Sequence, residues 1–272
     1  MRCRKVYSYT KGDAICVTML LPILTVFFTE LKTTLEEKEF FTDDQPHKLI
    51  ICGDLFDRGA EARELQAFIL DLMEQGEVIL IRGNHEDLLL DFLYSLPWSR
   101  HISPHHISNG TVDTVCQLTG TTEELLFASR FSVGKEMLDG PLVQRIIPAM
   151  VDYYETEHNI FVHGWIPCLR YQLSPYKAEY NPVPDWRNAD EKMWSQARWT
   201  NGMEAAHSGV IECGKTIVCG HWHCSFGHAN YEGKGSEFDQ DADFTPYYAD
   251  GIIALDACTA LSKKVNCIII DD

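Results

Sequence analysis

Four short apolar runs, each ending in a glycine and a polar side chain, constrain the fold of this chain most strongly. A run of four or five apolar residues bounded by glycine is typical of a strand buried on both faces. The runs occupy residues 48–52, 78–81, 159–162 and 216–219. Residues 60–75, between the first two runs, carry apolar side chains at helical spacing. Strand, helix and strand in this order predict a βαβ unit with parallel strands, and therefore an α/β fold.

The rest of the sequence predicts a single domain over residues 1–272, because no linker composition divides it. Residues 87–158 predict a mainly helical insertion. Residues 165–209, rich in Trp, Tyr and Pro, predict a long ordered loop with one helix near 189–199. Residues 227–248 predict an exposed polar loop, and residues 251–271 predict a β-hairpin.

Charge and cysteine content narrow the function classes. The 272 residues contain 23 Lys+Arg and 40 Asp+Glu, a formal net charge of −17, which argues against a basic face for duplex nucleic acid. The ten cysteines form no C-x-x-C pair, which indicates reduced thiols and a cytoplasmic protein. The apolar run 14–28 follows a basic start, as in a signal peptide, but it is short for a membrane span and is predicted to be buried core.

Metal-ligand side chains follow every one of the four predicted strands: Asp54, Asn84 with His85, His163, and His221 with His223. Parallel strands bring their carboxyl ends to one edge of a sheet, so these side chains are expected to converge. Oxygen and imidazole ligands without thiolate suit manganese, iron or zinc in a hydrolytic site.

The motifs at these positions resemble those of one known family. Gly53-Asp-Leu-Phe-Asp-Arg-Gly59 and Gly83-Asn-His-Glu86 are followed by Val162-His-Gly164 and Gly220-His-Trp-His223. In this order they are similar to the metallophosphoesterases of the phosphoprotein-phosphatase (PPP, calcineurin-like) type. The resemblance implies a two-sheet β-sandwich flanked by helices in four layers, with two divalent metal ions, most simply manganese, at the strand ends.

The resemblance also implies metal ligands. Asp54 matches the carboxylate that bridges two metals, and Asn84, His163 and His221 match the ligands of the second metal. His223 matches the first-metal ligand of broader metallophosphoesterases, although PPP-type phosphatases usually do not use it. A hydroxide between the metals would attack phosphorus in line.

Catalytic roles follow from the same resemblance. His85 matches the general acid, Asp57 the carboxylate that orients it, and Arg58 the phosphate clamp. Arg198 matches a second phosphate-binding arginine, or it stacks on a neighbouring tryptophan. Glu86 is expected to cap the following helix rather than to bind metal.

The N-terminus departs from the family pattern, which opens with Asp-x-His-Gly as first-metal ligands. The nearest candidate is Asp13, with Ile15 in the histidine position, and another register places Cys16 and Thr18 there. Three explanations stay open: a weakened first site rescued by His223, a phosphatase fold that binds phosphorylated partners without turnover, or a reading-frame slip in the first thirty residues.

The predicted function is hydrolysis of phosphate monoesters, with a phosphorylated protein or small ester as substrate. Hydrolysis of a bis(5'-nucleosyl) tetraphosphate and non-catalytic phosphate binding are the alternatives. No membrane or duplex nucleic acid partner is expected.

Overall fold

The computed structural model describes residues 18–20, 27–174 and 177–271, and Asp13 lies outside them. Within these residues the strands are β1 (Thr18–Leu20), β2 (Leu49–Ile51), β3 (Val78–Leu80), β4 (Tyr153–Glu155), β5 (Asn159–Val162), β6 (Cys168–Ser174), β7 (Lys177–Pro182), β8 (Thr216–His223), β9 (Tyr247–Ala249) and β10 (Ile252–Asp256).

The helices are α1 (Phe28–Glu37), α2 (Ala62–Gln75), α3 (Asn84–Ser95), α4 (Pro104–Ser108), α5 (Thr111–Thr119), α6 (Glu123–Ala128), α7 (Arg130–Asp139), α8 (Ile147–Ala149), α9 (Glu191–Ala197), α10 (Gly202–His207), α11 (Cys224–Gly227) and α12 (Thr259–Ser262). Single turns of π- and 3₁₀-helix occupy Leu142–Ile146, Trp186–Asn188 and His228–Glu232.

Two sheets form the centre of the molecule. The first has the order β1-β2-β3 and is parallel throughout. The second has the order β4-β5-β8-β10-β9, with a parallel centre of β5, β8 and β10 and antiparallel edge strands. Strands β6 and β7 pair separately as an antiparallel hairpin. Within each sheet the carboxyl ends of the parallel strands therefore lie at one edge. The predicted ligands follow the strands at this edge.

Alternation along the strands divides the core into layers. In β2, Leu49 and Ile51 belong to the cluster that packs against helices, while Ile50 belongs to the cluster between the sheets. In β5, Ile160 packs on the outer face and Phe161 faces the first sheet. Successive strand residues point to opposite faces, so each central strand is buried on both faces, by helices on one and by the other sheet on the other. Helices, two sheets and helices make the four-layer α/β sandwich, which confirms the predicted fold class.

Helices cover the outer face of the first sheet. The buried side of α2 is formed by Leu65, Ile69 and Leu72. Gly76, in the left-handed conformation, caps the carboxyl end of this helix. Helices α3 to α8 follow β3 and precede β4, where the sequence predicted a helical insertion. None of the helices in the described ranges is long and apolar enough to cross a bilayer.

Two sequence expectations about local structure are wrong, and a third is correct only in part. The region 165–209 contains the hairpin β6–β7 and the two helices α9 and α10 rather than a long loop with one helix. The region 227–248, predicted to be an exposed polar loop, begins with helical turns and ends in β9, but residues 233–246 between them form no helix or strand. The predicted C-terminal hairpin is absent from the described residues, because β10 pairs with β8 and β9 and residues 263–271 form no strand.

Candidate active site

Four predicted metal ligands meet where the two sheets face each other. Asp54 and Asn84 follow β2 and β3 of the first sheet, whereas His163 follows β5 and His221 lies in β8 of the second. One ligand atom each from Asp54, His163 and His221 lies within 4.8 Å of the others. The Asn84 Oδ1 atom is 2.8 Å from His163 Nε2, and Asp54 Oδ2 is 3.3 Å from the same nitrogen. All four side chains are buried.

The hydrogen bonds around His163 leave lone pairs facing one another. His163 Nδ1 lies 2.6 Å from the Cys52 carbonyl oxygen, which can only accept, so this nitrogen carries the proton. In the neutral ring Nε2 then presents a lone pair toward Asn84 Oδ1 and Asp54 Oδ2. A protein acceptor that fixes the tautomer and leaves the other nitrogen free is the usual support for a metal-binding histidine.

Some buried polar atoms of these ligands have no hydrogen-bond partner. Within the described part of the chain, Asp54 Oδ2 and both ring nitrogens of His221 make no hydrogen bond of ordinary geometry. Buried polar atoms are normally paired, and unpaired ones cost free energy. A divalent cation coordinated by a carboxylate, an amide oxygen and two imidazoles would satisfy Asp54 Oδ2 and one ring nitrogen of His221. These residues therefore fit the metal that the sequence predicted.

Charges in the site shift the pKa values of two ligands. Burial alone would raise the pKa of Asp54, but the neighbouring His163 and His85 lower it below its ordinary value. Burial, assisted by His163, lowers the pKa of His221 to about 3, so its ring is neutral at physiological pH. An ionised carboxylate and a neutral imidazole are the protonation states that bind metal.

Strained backbone surrounds these side chains. Asp54, Asp57, Arg58 and His221 all have positive φ, at 52°, 102°, 59° and 67°. Non-glycine residues adopt this region at a cost, and such residues concentrate at functional sites. The packing of the surrounding structure must offset the cost of these four backbone conformations.

The carboxylate of Glu86 connects the loops after β2 and β3. It accepts hydrogen bonds from the main-chain N–H groups of Gly83 at 2.7 Å, Leu55 at 2.9 Å and Asp54 at 3.1 Å. The bond from Gly83, which precedes α3, satisfies an otherwise open donor at the helix start, as the sequence predicted for Glu86. The other two bonds fix the loop that presents Asp54.

His85 and Asp57 form a buried pair beside the ligands. His85 Nδ1 lies 2.7 Å from Asp57 Oδ2, which leaves Nε2 facing the site, 3.9 Å from Asp54 Oδ2. Burial lowers the pKa of His85, but Asp54 and Asp57 outweigh burial and raise it to about 9. In the metal-free protein the ring is therefore protonated at neutral pH and can donate a proton through Nε2.

Arg58 is the exposed cation of the site. Its Nη2 atom donates to Asn109 Oδ1 at 2.5 Å, and the rest of the side chain reaches solvent. Guanidinium donors of Arg58 beyond this bond are open to an incoming anion, and its role as the phosphate clamp stays a prediction.

Arg198 is buried among three carboxylates. Its guanidinium is 2% exposed and donates to Asp87 at 2.8 Å, Asp152 at 2.7 Å and Glu191 at 2.6 Å. These three carboxylates take up its donors, so Arg198 joins α9 to α3 and to the chain before β4. The structure shows this structural contact, and the phosphate-binding role of Arg198 stays a prediction.

His223 lies apart from the ligand cluster. Its Nε2 atom is 2.8 Å from Glu237 Oε1, and its ring packs on Phe238. The group of three close ligands in the described residues does not include it. The structure thus brings together Asp54, Asn84, His163 and His221, but not His223.

Several residues of the site were not predicted from the sequence: Asn109, Thr111, Thr114 and Asp256. The first three bind Arg58 or Asp57 from more than 50 residues away, a distance that no periodic pattern spans. Asp256 ends β10 and is completely buried. An acidic residue directly after an apolar strand, like Asp54, was the available signal for Asp256.

Comparisons with known proteins identify the family of the chain. The family model for calcineurin-like phosphoesterases matches residues 26–225. The chain therefore belongs to the calcineurin-like phosphoesterase family, and its class is that of the metal-dependent phosphoesterases. No curated protein matches the chain significantly.

Solved structures with a similar course of the chain include three that cover most of it. A serine/threonine phosphatase from Saccharomyces cerevisiae with similarity to human phosphatase PP5 has a TM-score of 0.42 and 14% identity, over 89% of this chain and 66% of that one. A putative diadenosine tetraphosphatase has a TM-score of 0.44 and 12% identity, over 92% and 90%. A hypothetical protein from Pyrococcus horikoshii OT3 has a TM-score of 0.40 and 14% identity, over 94% and 88%.

Proposed function

We propose that this protein hydrolyses phosphate monoesters with the help of divalent cations, most readily manganese, held by Asp54, Asn84, His163 and His221. The observation that supports this proposal is the convergence of four buried ligands beside the His85–Asp57 pair. A divalent cation bound there supplies Lewis acidity toward the phosphoryl oxygens and makes an attacking water more acidic.

Three side chains of this chain have separate roles in cleavage of the ester. Arg58 binds the non-bridging phosphoryl oxygens through its free guanidinium donors. Water adds to phosphorus as the ester P–O bond breaks, and the leaving oxygen takes the proton of His85 Nε2. Asp57, bound to Nδ1, holds the ring in the orientation that this transfer requires.

Manganese-stimulated hydrolysis of p-nitrophenyl phosphate tests the proposal. Asp54→Asn and His85→Asn are expected to lower kcat by about 100-fold or more, since each removes a ligand or the proton donor. Asp250→Asn and His101→Asn change exposed residues of the same types and serve as matched controls. Activity without metal, or activity unchanged by Asp54→Asn, would contradict the mechanism.

Substrate class requires a direct comparison. A phosphoserine peptide and a dinucleoside tetraphosphate, offered to the same manganese-loaded protein, separate monoester from anhydride hydrolysis. Faster turnover of the peptide is expected. A clear preference for the tetraphosphate would replace the monoester in this proposal with the phosphoanhydride.

A second candidate function is phosphate binding without turnover. The described residues contain one group of three close ligands, and the second cation implied by the resemblance has no such group. Strand β1 lies parallel to β2, yet residues 21–26, which follow it in sequence, include no carboxylate or imidazole. Both observations favour a site with fewer cations than the family pattern implies.

Calorimetric titration with manganese distinguishes the two functions. Two bound ions together with turnover support the hydrolase. One bound ion, retained affinity for inorganic phosphate and no hydrolysis of any ester support the binding protein.

A further inference from the structure

One segment outside the ligand motifs contacts the loop that carries Asp57 and Arg58. The catalytic loop comprises residues 57–62, and the segment, named here the loop clamp, comprises residues 109–117. Its members that contact the loop are Asn109, Gly110, Thr111, Thr114 and Gln117.

Two threonine hydroxyls of the clamp bind the carboxylate of Asp57. Thr114 donates to Oδ1 at 2.8 Å, and Thr111 donates to Oδ2 at 3.1 Å, the oxygen that also meets His85 Nδ1. All four side chains are buried, with exposed fractions of 6% or less. Both carboxylate oxygens are thereby held, so the carboxylate cannot rotate away from His85 without breaking buried hydrogen bonds.

Asn109 holds Arg58 in a similar way. Its Nδ2 group donates to the His105 carbonyl oxygen at 2.8 Å, which fixes the orientation of the amide. Its Oδ1 atom must then face Arg58 Nη2, which donates to it at 2.5 Å. One edge of the guanidinium is occupied by this bond, and the remaining donors keep a fixed direction.

The main chain of the clamp approaches the loop just as closely. A Cβ atom at Gly110 would lie 2.3 Å from the backbone nitrogen of Arg58, and Gly110 has a φ of +80°. Gln117 spans the far end of the loop, donating to the Gly59 carbonyl oxygen at 2.5 Å and accepting from Ala62 N–H at 3.0 Å. Asp57 and Arg58 both have positive φ, so the loop requires such external support.

We propose that the loop clamp is a positioning device for the reaction, in which Thr111 and Thr114 aim the His85–Asp57 pair and Asn109 aims Arg58 at phosphate. The inference rests on the proposed function and deepens it. Its two halves act on different steps, because the threonines serve proton donation to the leaving group and Asn109 serves binding of the phosphoryl group.

Leaving-group dependence tests the threonine half. Thr114→Val keeps the shape and removes the hydroxyl. It is expected to lower kcat about tenfold or more for phenyl phosphate, which needs a proton, and less than about twofold for 2,4-dinitrophenyl phosphate, which does not. Thr114→Ser should restore hydrolysis of phenyl phosphate. Thr119→Val, whose hydroxyl bonds only within its own helix, is the matched control. An equal loss for both esters, or no loss, would overturn this half.

Phosphate affinity tests the Asn109 half. Asn109→Leu is expected to weaken inhibition by inorganic phosphate about tenfold and to raise KM more than it lowers kcat, because a bond to a charged donor is lost. Asn188→Leu, which changes an exposed asparagine, is the control. Unchanged inhibition by phosphate, or no phosphate binding by the unmodified protein, would refute the assignment.

A spectroscopic measurement separates failure of the clamp from failure of the proposed function. In metal-free protein labelled with ¹⁵N-histidine, the His85 Nδ1 proton is expected to be protected from solvent exchange and is assigned by its loss in His85→Asn. The double change of Thr111 and Thr114 to Val should abolish that protection even if no ester is hydrolysed. Persistence of the protected proton in the double variant would contradict the clamp independently of activity.

Discussion

Close packing around Asp54 decides which small residues the site tolerates. A Cβ atom at Gly83 would lie 2.1 Å from Asp54 Oδ1 and 2.4 Å from Asp54 N. The glycine at this position therefore serves close approach between two loops rather than backbone freedom. The loop after β3 can approach the Asp54 carboxylate only if position 83 carries no side chain.

Gly83→Ala is accordingly expected to reduce manganese affinity about tenfold or more, because Asp54 must move by more than the precision that a metal site allows. Calorimetric titration measures the affinity. Gly134→Ala introduces the same methyl group in α7, where the nearest atom of another residue is 3.7 Å away, and should leave the affinity unchanged. Equal affinities in both variants would contradict the packing account.

Asp256 is a buried carboxylate with an unsatisfied atom. It is completely buried; Oδ1 accepts the Cys258 N–H at 2.7 Å, and Oδ2 has no partner in the described residues. Burial, and then the negative charge of Asp54, raise its pKa well above the ordinary value, against the opposing effects of Cys258 N–H, Arg58 and His85.

A raised folded-state pKa makes stability depend on pH in a defined direction. The folded state binds the proton more tightly than the unfolded chain, so stability falls as pH rises above the unfolded pKa of about 4. In metal-free protein, Asp256→Asn should therefore increase the free energy of unfolding little at pH 4 and by about 1 to 3 kcal/mol at pH 8. Urea denaturation at several pH values measures this difference, and Asp250→Asn, at an exposed position, should show none. A difference independent of pH would refute it.

At the scale of elements, Arg198 illustrates how one side chain joins three of them. Asp87 belongs to α3, Glu191 to α9, and Asp152 precedes β4. The guanidinium is buried, whereas the three carboxylates retain some exposure. Loss of this junction is therefore expected to lower the free energy of unfolding by less than the loss of a fully buried ion pair would.

Arg198→Met is expected to lower the free energy of unfolding by about 2 kcal/mol, while KM for p-nitrophenyl phosphate changes little. Arg58→Met should show the opposite pattern, with a raised KM and nearly unchanged stability, since Arg58 is exposed. Urea denaturation and steady-state kinetics on both variants measure the contrast. A large rise in KM for Arg198→Met would support the phosphate-binding role predicted from the sequence.

The elements that the sequence predicted well are those with local signals. Strand β5 coincides with its predicted run, β2 and β3 match theirs within one residue at each end, and β8 continues four residues further. Buried parallel strands are recognisable because they are continuous apolar segments. Helix α2 ends at Gln75, as predicted. Apolar periodicity and glycine boundaries are written in consecutive residues, so no knowledge of the fold is needed to recognise them.

The elements that the sequence predicted poorly depend on distant partners. The runs 252–255 and 265–270 were both predicted to be strands, but only the first forms one, pairing with β8 more than 30 residues earlier. The carboxylate partners of Arg198 and the threonine partners of Asp57 were missed for the same reason. Residue composition shows which side chains can pair, whereas the docking of the two sheets determines which do.

At the scale of the whole molecule, the net charge of −17 bears on how the site recognises phosphate. A strongly negative surface repels an anionic ester and attracts divalent cations. Bound cations and Arg58 are the local positive charges that reverse this balance at the site. Metal binding is therefore expected to be coupled to phosphate binding as well as to stability.

Manganese at 100 times its dissociation constant is expected to stabilise the folded protein by about 2.7 kcal/mol, because the unfolded chain lacks the assembled ligands. Thermal unfolding with manganese and with excess chelator measures the effect. Asp54→Asn should unfold at the same temperature in both conditions. A manganese effect of equal size in Asp54→Asn would place the cation elsewhere on the acidic surface.

The division of the ligands between the two sheets has a consequence for the order of folding. Asp54 and Asn84 come from the first sheet, while His163 and His221 come from the second, so neither half of the chain can hold the cation alone. Contacts between residues so distant in sequence form late, after local helices and strands. The cation thus cannot nucleate folding. It binds only after the two halves have docked and then stabilises the docked state. Its main kinetic effect should therefore be to slow unfolding.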